Sequence, residues 1–343
     1  MKIDKYFKLA IEKKASDIHV VSGSAPTLRV AGELTFVNQT VIPKGEVEQI
    51  AQELLNKAQL ERLERERDLD IAYSLDSWRF RINFHFQQGL MGLAARLIPK
   101  QIPDPVALGF DETIYGLTKL NSGLVLVTGP SGSGKSTTLA AMIEIMNQER
   151  HAHIITIEDP IEFVYSNARS LIEQREVDDD TPTFAAALKY VLRQDPNVIL
   201  VGEMRDLETI QAALTAAETG HLVLSTLHTQ TAATTVERVI DMFEGLRQKQ
   251  VLLQLAGSLR AVISQQLIPA LKGGLVAARE MMIMNPAVAN LIRENKVAQI
   301  PSVIQTSAKE GMVTMEMKVK RLYDEGVIGD EYVRRGKDRG KTF

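Results

Sequence analysis

GLVLVTGPSGSGKSTT (residues 123–138) decides the fold. Its first six residues are apolar enough to read as a buried strand. They run into Gly129-Pro130-Ser131-Gly132-Ser133-Gly134-Lys135-Ser136-Thr137, which matches GxxxxGK[ST] and opens a helix. Strand, loop and helix in this order form a phosphate cradle. The glycines let backbone N–H groups turn inward, and the helix N-terminus adds positive potential. Lys135 is placed to reach the β- and γ-phosphates, and the Ser136 hydroxyl to ligate Mg²⁺. The stretch therefore predicts ATP and Mg²⁺ as cofactors. It does not say what the energy drives, because kinases, GTPases, helicases and transporters share such a loop.

Three further segments extend the reading. NVILVGE (197–203) is a strand ending in an acid, the second element of a P-loop site. The usual ending is Asp-Glu. Here Gly202 replaces the Asp, so Glu203 is expected to act on the metal through a bound water. ITIEDPIEF (155–163) places Glu158, Asp159 and Glu162 just past a strand end, where ligands bind in such sheets. Carboxylates there hold metal or orient the attacking water, unless they are simply solvated loop acids. TGHLVLSTLHT (219–229) carries His221 and His228 on either side of an apolar strand. Seven positions apart on an extended strand, they face opposite sides and do not share a metal. His228 ends the strand, where a γ-phosphate sensor belongs; the alternative is a structural histidine.

Outward from this core, the chain is 343 residues long, enough for two domains. Apolar residues make up 45%, charged residues 24%, and the net charge of −3 argues against a bulk nucleic-acid binder. With no cysteine, disulfides and Cys-ligated zinc are excluded. MKIDKYFKLAIEKKASD reads as an amphipathic helix, not a signal peptide. No apolar run of about 18 residues is present, so no transmembrane segment is expected.

The prolines of RLIPKQIPDP (Pro99, Pro103, Pro105) mark a linker. The expected organisation is an α+β domain over 1–99, a linker over 100–110 and an α/β domain with a mainly parallel sheet over 111–343. TFAAALKYVLRQ and LETIQAALTAAETG read as helices, with Thr183 as a cap for the first and Gly220 stopping the second. Residues 246–270 and 286–335 read as mostly helical. The run ERLERERD reads as the solvated end of a helix, and the basic tail RRGKDRGKTF as frayed. In the small domain, WRFRINFHF (78–86) alternates apolar and polar residues as a strand with one buried face. Its polar face is either solvated, or Arg81, with Arg96 on the following strand, supplies charge to a phosphate as arginine fingers do.

Taken in order, GPSGSGKSTT, IITIEDPIEF, VILVGEMRD and TAAETGHLVLSTLHT closely resemble the secretion-ATPase superfamily. Within it, the chain resembles the type IV pilus retraction ATPases, the PilT-type twitching motors. SDIHV (16–20) and PTLRVAGEL (26–34) fit that family's N-terminal domain. The resemblance implies a RecA-like P-loop ATPase domain, a small PAS-like α+β domain before it and a helical C-terminal region. It implies a cytoplasmic homohexamer, peripheral at the inner membrane, with ATP between the two domains of a subunit. Its partners would be a membrane platform protein of the pilus and a second pilus ATPase. Glu162 and Glu203 match carboxylates around the attacking water and Mg²⁺, with Glu158 a further metal-side acid. His221 and His228 match a histidine box, and Arg81 and Arg96 match positions that contact phosphate.

Pilus assembly and type II secretion ATPases, the nearest confusable relatives, carry a longer N-terminal region and a four-cysteine zinc module. Two departures stand out. AVANLIRE (287–294) has Ala289 where retraction motors carry the first arginine of AIRNLIRE, which leaves room for an accessory role. Asp178-Asp179-Asp180 replaces a glycine-containing turn. Two rival readings remain: a DNA translocase, since RecA-like rings also move DNA, and an interaction protein that binds ATP without hydrolysing it.

Overall fold

The computed structural model describes residues 1–30, 32–37, 40–76, 78–98 and 101–333. Pro99, Lys100 and the basic tail lie outside the described residues. The chain divides into two compact units: Met1–Gln101 with the short stretch Glu162–Val164, and Ile102–Ile161 with the chain from Tyr165 onward.

The first unit runs α1 (Asp4–Glu12), β1 (Asp17–Val21), β2 (Thr27–Val30), β3 (Glu33–Phe36), α2 (Glu46–Leu54), α3 (Lys57–Glu66), β4 (Asp68–Leu75), β5 (Trp78–Gln87), β6 (Leu90–Ile98). Its sheet is antiparallel in the order β3-β2-β1-β6-β5-β4. The alternation in β5 works as period 2 requires: Phe80, Ile82 and Phe84 are buried, while Arg81, Asn83 and His85 lie on the other face. Phe80 stacks on Phe7 of α1 with ring centroids 3.9 Å apart, so the N-terminal helix is held by the core of the sheet.

The second unit continues with α4 (Glu112–Thr118), β7 (Gly123–Thr128), α5 (Lys135–Glu149), β8 (His153–Glu158), β9 (Leu171–Glu176), α6 (Phe184–Val191), β10 (Val198–Val201), α7 (Leu207–Glu218), β11 (Leu222–Leu227) and α8 (Ala232–Asp241). It ends with α9 (Gly245–Ser258), β12 (Leu259–Pro269), β13 (Leu275–Ile283), α10 (Pro286–Arg293), α11 (Ile300–Thr306) and α12 (Met315–Asp324). The sheet order is β13-β12-β7-β11-β10-β8-β9, parallel throughout except for the β12–β13 hairpin. Successive residues of a strand serve opposite cores. Leu124 and Leu126 pack with α6, α7 and α9, while Val125 and Val127 pack with α5. Burial on both faces explains why these strands are continuous apolar runs.

One sequence expectation fails. Residues 259–269 form a strand, β12, rather than the end of a helix. LRAVISQQLIP is buried on both faces over most of its length, so it lacks the period-2 signature and cannot be told from a buried helix by pattern alone. The caps were legible: Thr183 accepts from the Ala186 N–H at 3.0 Å at the start of α6.

Candidate functional site

Register places several chemistry-bearing loops on one edge of the parallel sheet. Thr128 of β7 pairs with Leu227 of β11 and Ser264 of β12, and Val201 of β10 pairs with Ser225 and Ile157. The phosphate loop, His228, Glu203 and Glu158 therefore all follow or close the carboxyl ends of neighbouring strands, the edge at which such sheets bind ligands.

The phosphate loop has the backbone that its sequence demands. Gly129, Gly132 and Gly134 have φ of +144°, +75° and +84°. A side chain at Gly129 would also run into the Gln265 carbonyl and approach Ser133 Oγ within 2.7 Å. Gly134 starts α5 with no side-chain cap and no acid in the first turn, so the positive end of the helix stays uncancelled. Lys135 is buried and folds back on the loop, donating to the carbonyls of Gly129 at 2.9 Å and Pro130 at 3.1 Å. Ser136 follows in the first turn of α5. These residues fit a nucleotide's phosphates.

Glu203 and His228 are brought together, with His228 Nε2 3.4 Å from Glu203 Oε2. Arg205, which the sequence reading did not single out, takes the other carboxylate oxygen at 2.6 Å. Gly202 lets this strand end pass its neighbour closely, since a Cβ there would lie 3.3 Å from the Ile157 carbonyl and 3.4 Å from Glu158 Cα. Glu158 is buried; its Oε1 accepts from the Thr156 hydroxyl at 2.7 Å and the Gln174 amide at 3.3 Å. Glu162 lies four residues further on, in the stretch grouped with the first unit. Among the described residues, no group of three or more His, Asp or Glu side chains could hold a metal by itself. A magnesium ion here would be bound as P-loop sites bind it, by a hydroxyl and substrate phosphates.

His221 is not part of this gathering. It precedes β11, at the amino end of the strand, with Nδ1 3.0 Å from the Ala216 carbonyl and 3.2 Å from Thr219 Oγ1. The six-residue strand β11 separates it from His228 by roughly 20 Å of backbone. Arg81 and Arg96 are directly opposite each other on β5 and β6 of the first unit. Like charges so placed repel; each is offset by a carboxylate, Asp70 at 3.2 Å from Arg81 and Asp17 at 2.8 Å from Arg96. Burial pushes the Asp17 carboxyl up, but hydrogen bonds from Arg96 and Ser16 outweigh it and hold the group below its ordinary value.

A family model described as "Type II/IV secretion system protein" matches residues 109–319. The chain belongs to this family. It is 45% identical over 335 residues to the type IV pilus retraction ATPase PilT of Pseudomonas aeruginosa, covering 97% of each chain. It is 46% identical over 332 residues to a twitching motility protein of Neisseria gonorrhoeae, covering 94% of this chain and 88% of that one. Its fold superposes on a crystal structure of the pilus retraction motor PilT with bound ADP at a TM-score of 0.89 and 44% identity, covering 96% and 95% of the two chains. The protein is a PilT-type P-loop ATPase, with the RecA-like domain, small N-terminal domain and helical C-terminal region of that type.

Of the two departures from the family pattern, the acid run has a structural use, whereas nothing in the structure explains Ala289. Ala289 is 7% exposed and packs on the core side of α10 beside Val288 and Ile292. In the acid run, Asp178 takes a left-handed φ of +74°, its N–H donates to the Thr181 carbonyl at 2.8 Å, and the Asp180 carboxylate accepts from the Glu176 N–H at 2.8 Å. The acids make the turn without glycine, because Asp tolerates that backbone and bonds to it. No helix among the described residues is long and apolar enough to cross a membrane.

Proposed function

We propose that the protein is a hexameric motor that hydrolyses ATP to drive type IV pilus retraction. Its load would be a membrane platform protein at the cytoplasmic face of the inner membrane, from which pilin subunits are withdrawn. The observation that carries this reading is full-length similarity to retraction ATPases, joined to a P-loop that shares a sheet edge with Glu203 and His228. Lys135 leaves the loop carbonyls to bind the β- and γ-phosphates, and the N–H groups of 129–137 hold the remaining oxygens. Ser136, Glu203 and Glu158 would hold Mg²⁺, which when bound would supply charge to the phosphate oxygens. Glu203 accepts the proton of the attacking water and Glu162 helps to orient that water, while His228 reports on the γ-phosphate. Arg81 and Arg96 exchange their carboxylates for the charge that develops on the phosphoryl group. Domain movements coupled to hydrolysis do the mechanical work.

The second reading is an accessory retraction ATPase acting beside another pilus ATPase; Ala289 in place of the motif's arginine favours it. The test is hydrolysis measured against protein concentration, with and without DNA, followed by complementation of a strain lacking its retraction ATPase. A motor of this type hydrolyses more per subunit as it assembles, ignores DNA and restores twitching. Restoration only when a second pilus ATPase is present selects the accessory role. DNA-stimulated hydrolysis or none at all overturns both.

A further inference from the structure

Behind the phosphate loop lies a buried polar relay that the reaction chemistry above does not use. Gln265, on β12, is 2% exposed, and Arg279, on β13, is 4% exposed. They face each other across the hairpin in register, with Arg279 Nε 3.3 Å from Gln265 Oε1. The same oxygen accepts from the Thr138 hydroxyl at 2.9 Å, in the first turns of α5. The Gln265 amide donates to the Ser133 carbonyl at 2.6 Å, inside the phosphate loop. One glutamine thus grips both the loop and the helix that the loop opens.

Arg279 reaches the other way. Its guanidinium donates to the Leu108 carbonyl at 2.8 Å and the Gly109 carbonyl at 3.4 Å, and lies 5.3 Å from the centre of the Phe110 ring. Another of its nitrogens lies 3.4 Å from the Thr138 hydroxyl. Residues 101–110, which carry no helix or strand, thereby share a buried cation with Thr138 of α5 and are linked through Gln265 to the nucleotide loop. Burial lowers the Arg279 pKa to about 10, which leaves it charged at neutral pH. A buried cation must keep its carbonyl partners or be left unsolvated. Movement of Leu108–Phe110 therefore has to be answered by Arg279, and through Gln265 by Ser133.

We propose that Gln265 and Arg279 are positioning residues that couple the conformation of the phosphate loop to the segment Leu108–Phe110, so that nucleotide binding and the state of this segment report on each other. The inference rests on the nucleotide site at 129–136, and the experiment separates the two. Amide hydrogen exchange of the full chain is followed with and without ADP in wild type, in Gln265→Met, which loses every hydrogen bond of the side chain, and in Gln265→Glu, which keeps its shape and the contact with Arg279 but cannot donate to Ser133. Saturation with ADP is checked by equilibrium binding.

In wild type, ADP alters exchange at 106–110. In both variants ADP still binds, about tenfold more weakly, the loss expected for one buried hydrogen bond to the loop. At saturating ADP, exchange at 106–110 no longer responds in either variant. A merely structural glutamine would change melting temperature and leave the response intact. If wild type shows no response at 106–110, or if Gln265→Glu responds as wild type does, the coupling is wrong. If wild type does not bind ADP, the nucleotide site itself is wrong and the relay falls with it.

Discussion

Replacing Glu203 by Gln separates chemistry from structure. The side chain is only 13% exposed, yet its ion-pair partner Arg205 is 70% exposed, so the pair is screened and worth about 0–1 kcal/mol. The 3.4 Å contact with His228 is long for a hydrogen bond and adds less. Glu203→Gln keeps the shape, so melting should shift by no more than about 2–4 °C. The rate should respond on a different scale. A general base contributes roughly 10²–10⁴-fold, which is about 3–5 kcal/mol of barrier. The assay is steady-state phosphate release over a range of ATP concentrations, with ADP-induced thermal stabilisation measured on the same samples. The expected result is a collapse of kcat with ADP stabilisation preserved and KM within about threefold of wild type. A kcat within about tenfold of wild type would refute the assignment of Glu203 as base. A raised KM with kcat intact would move its role to binding.

Two other outcomes follow from the same geometry. Lys135→Ala removes the cation that now caps the Gly129 and Pro130 carbonyls, so ADP affinity should fall by roughly 1.5–3 kcal/mol, read by equilibrium binding; unchanged affinity would mean that the lysine never leaves the loop carbonyls. Arg96→Ala breaks an ion pair whose arginine is exposed and whose Asp17 is half-buried, so melting should fall by only a few degrees, while kcat falls by about 10³-fold if the arginine meets phosphate; an unaltered kcat restores the plain reading of a solvated sheet face.

Glu280 concerns stability. Burial holds its carboxyl above the ordinary value, although the N–H groups of Ala232 and Met315 donate to it. The ionised form is thus disfavoured by folding. The penalty is absent below the ordinary carboxyl pKa of about 4.3 and grows as pH rises through the raised folded value. Denaturation midpoints of Glu280→Gln should improve relative to wild type as pH climbs from about 4 towards neutrality, and a difference that stays flat over that range rules the effect out.

The phosphate loop, the strands that feed it and the helix caps are legible in the sequence alone, because each depends on neighbouring residues. Positive-φ glycines at 129, 132 and 134 are demanded by the loop alone, and Thr183 caps its helix through the Ala186 N–H three residues on. The acids and histidines were legible as residue types at strand ends. Tertiary structure decided which of them meet. Strand order puts β10 beside β11, so Glu203 reaches His228, whereas His221 is left at the far end of β11. It also decided that 259–269 is a strand, because burial on both faces erases the alternation that would have announced it. Gln265 and Arg279 carried no sequence signal. They lie 132 and 141 residues from Ser133 and Thr138, and only the β12–β13 hairpin beside β7 brings them behind the phosphate loop. Local backbone chemistry is written in short stretches of sequence, while a buried polar network exists only once distant strands have paired.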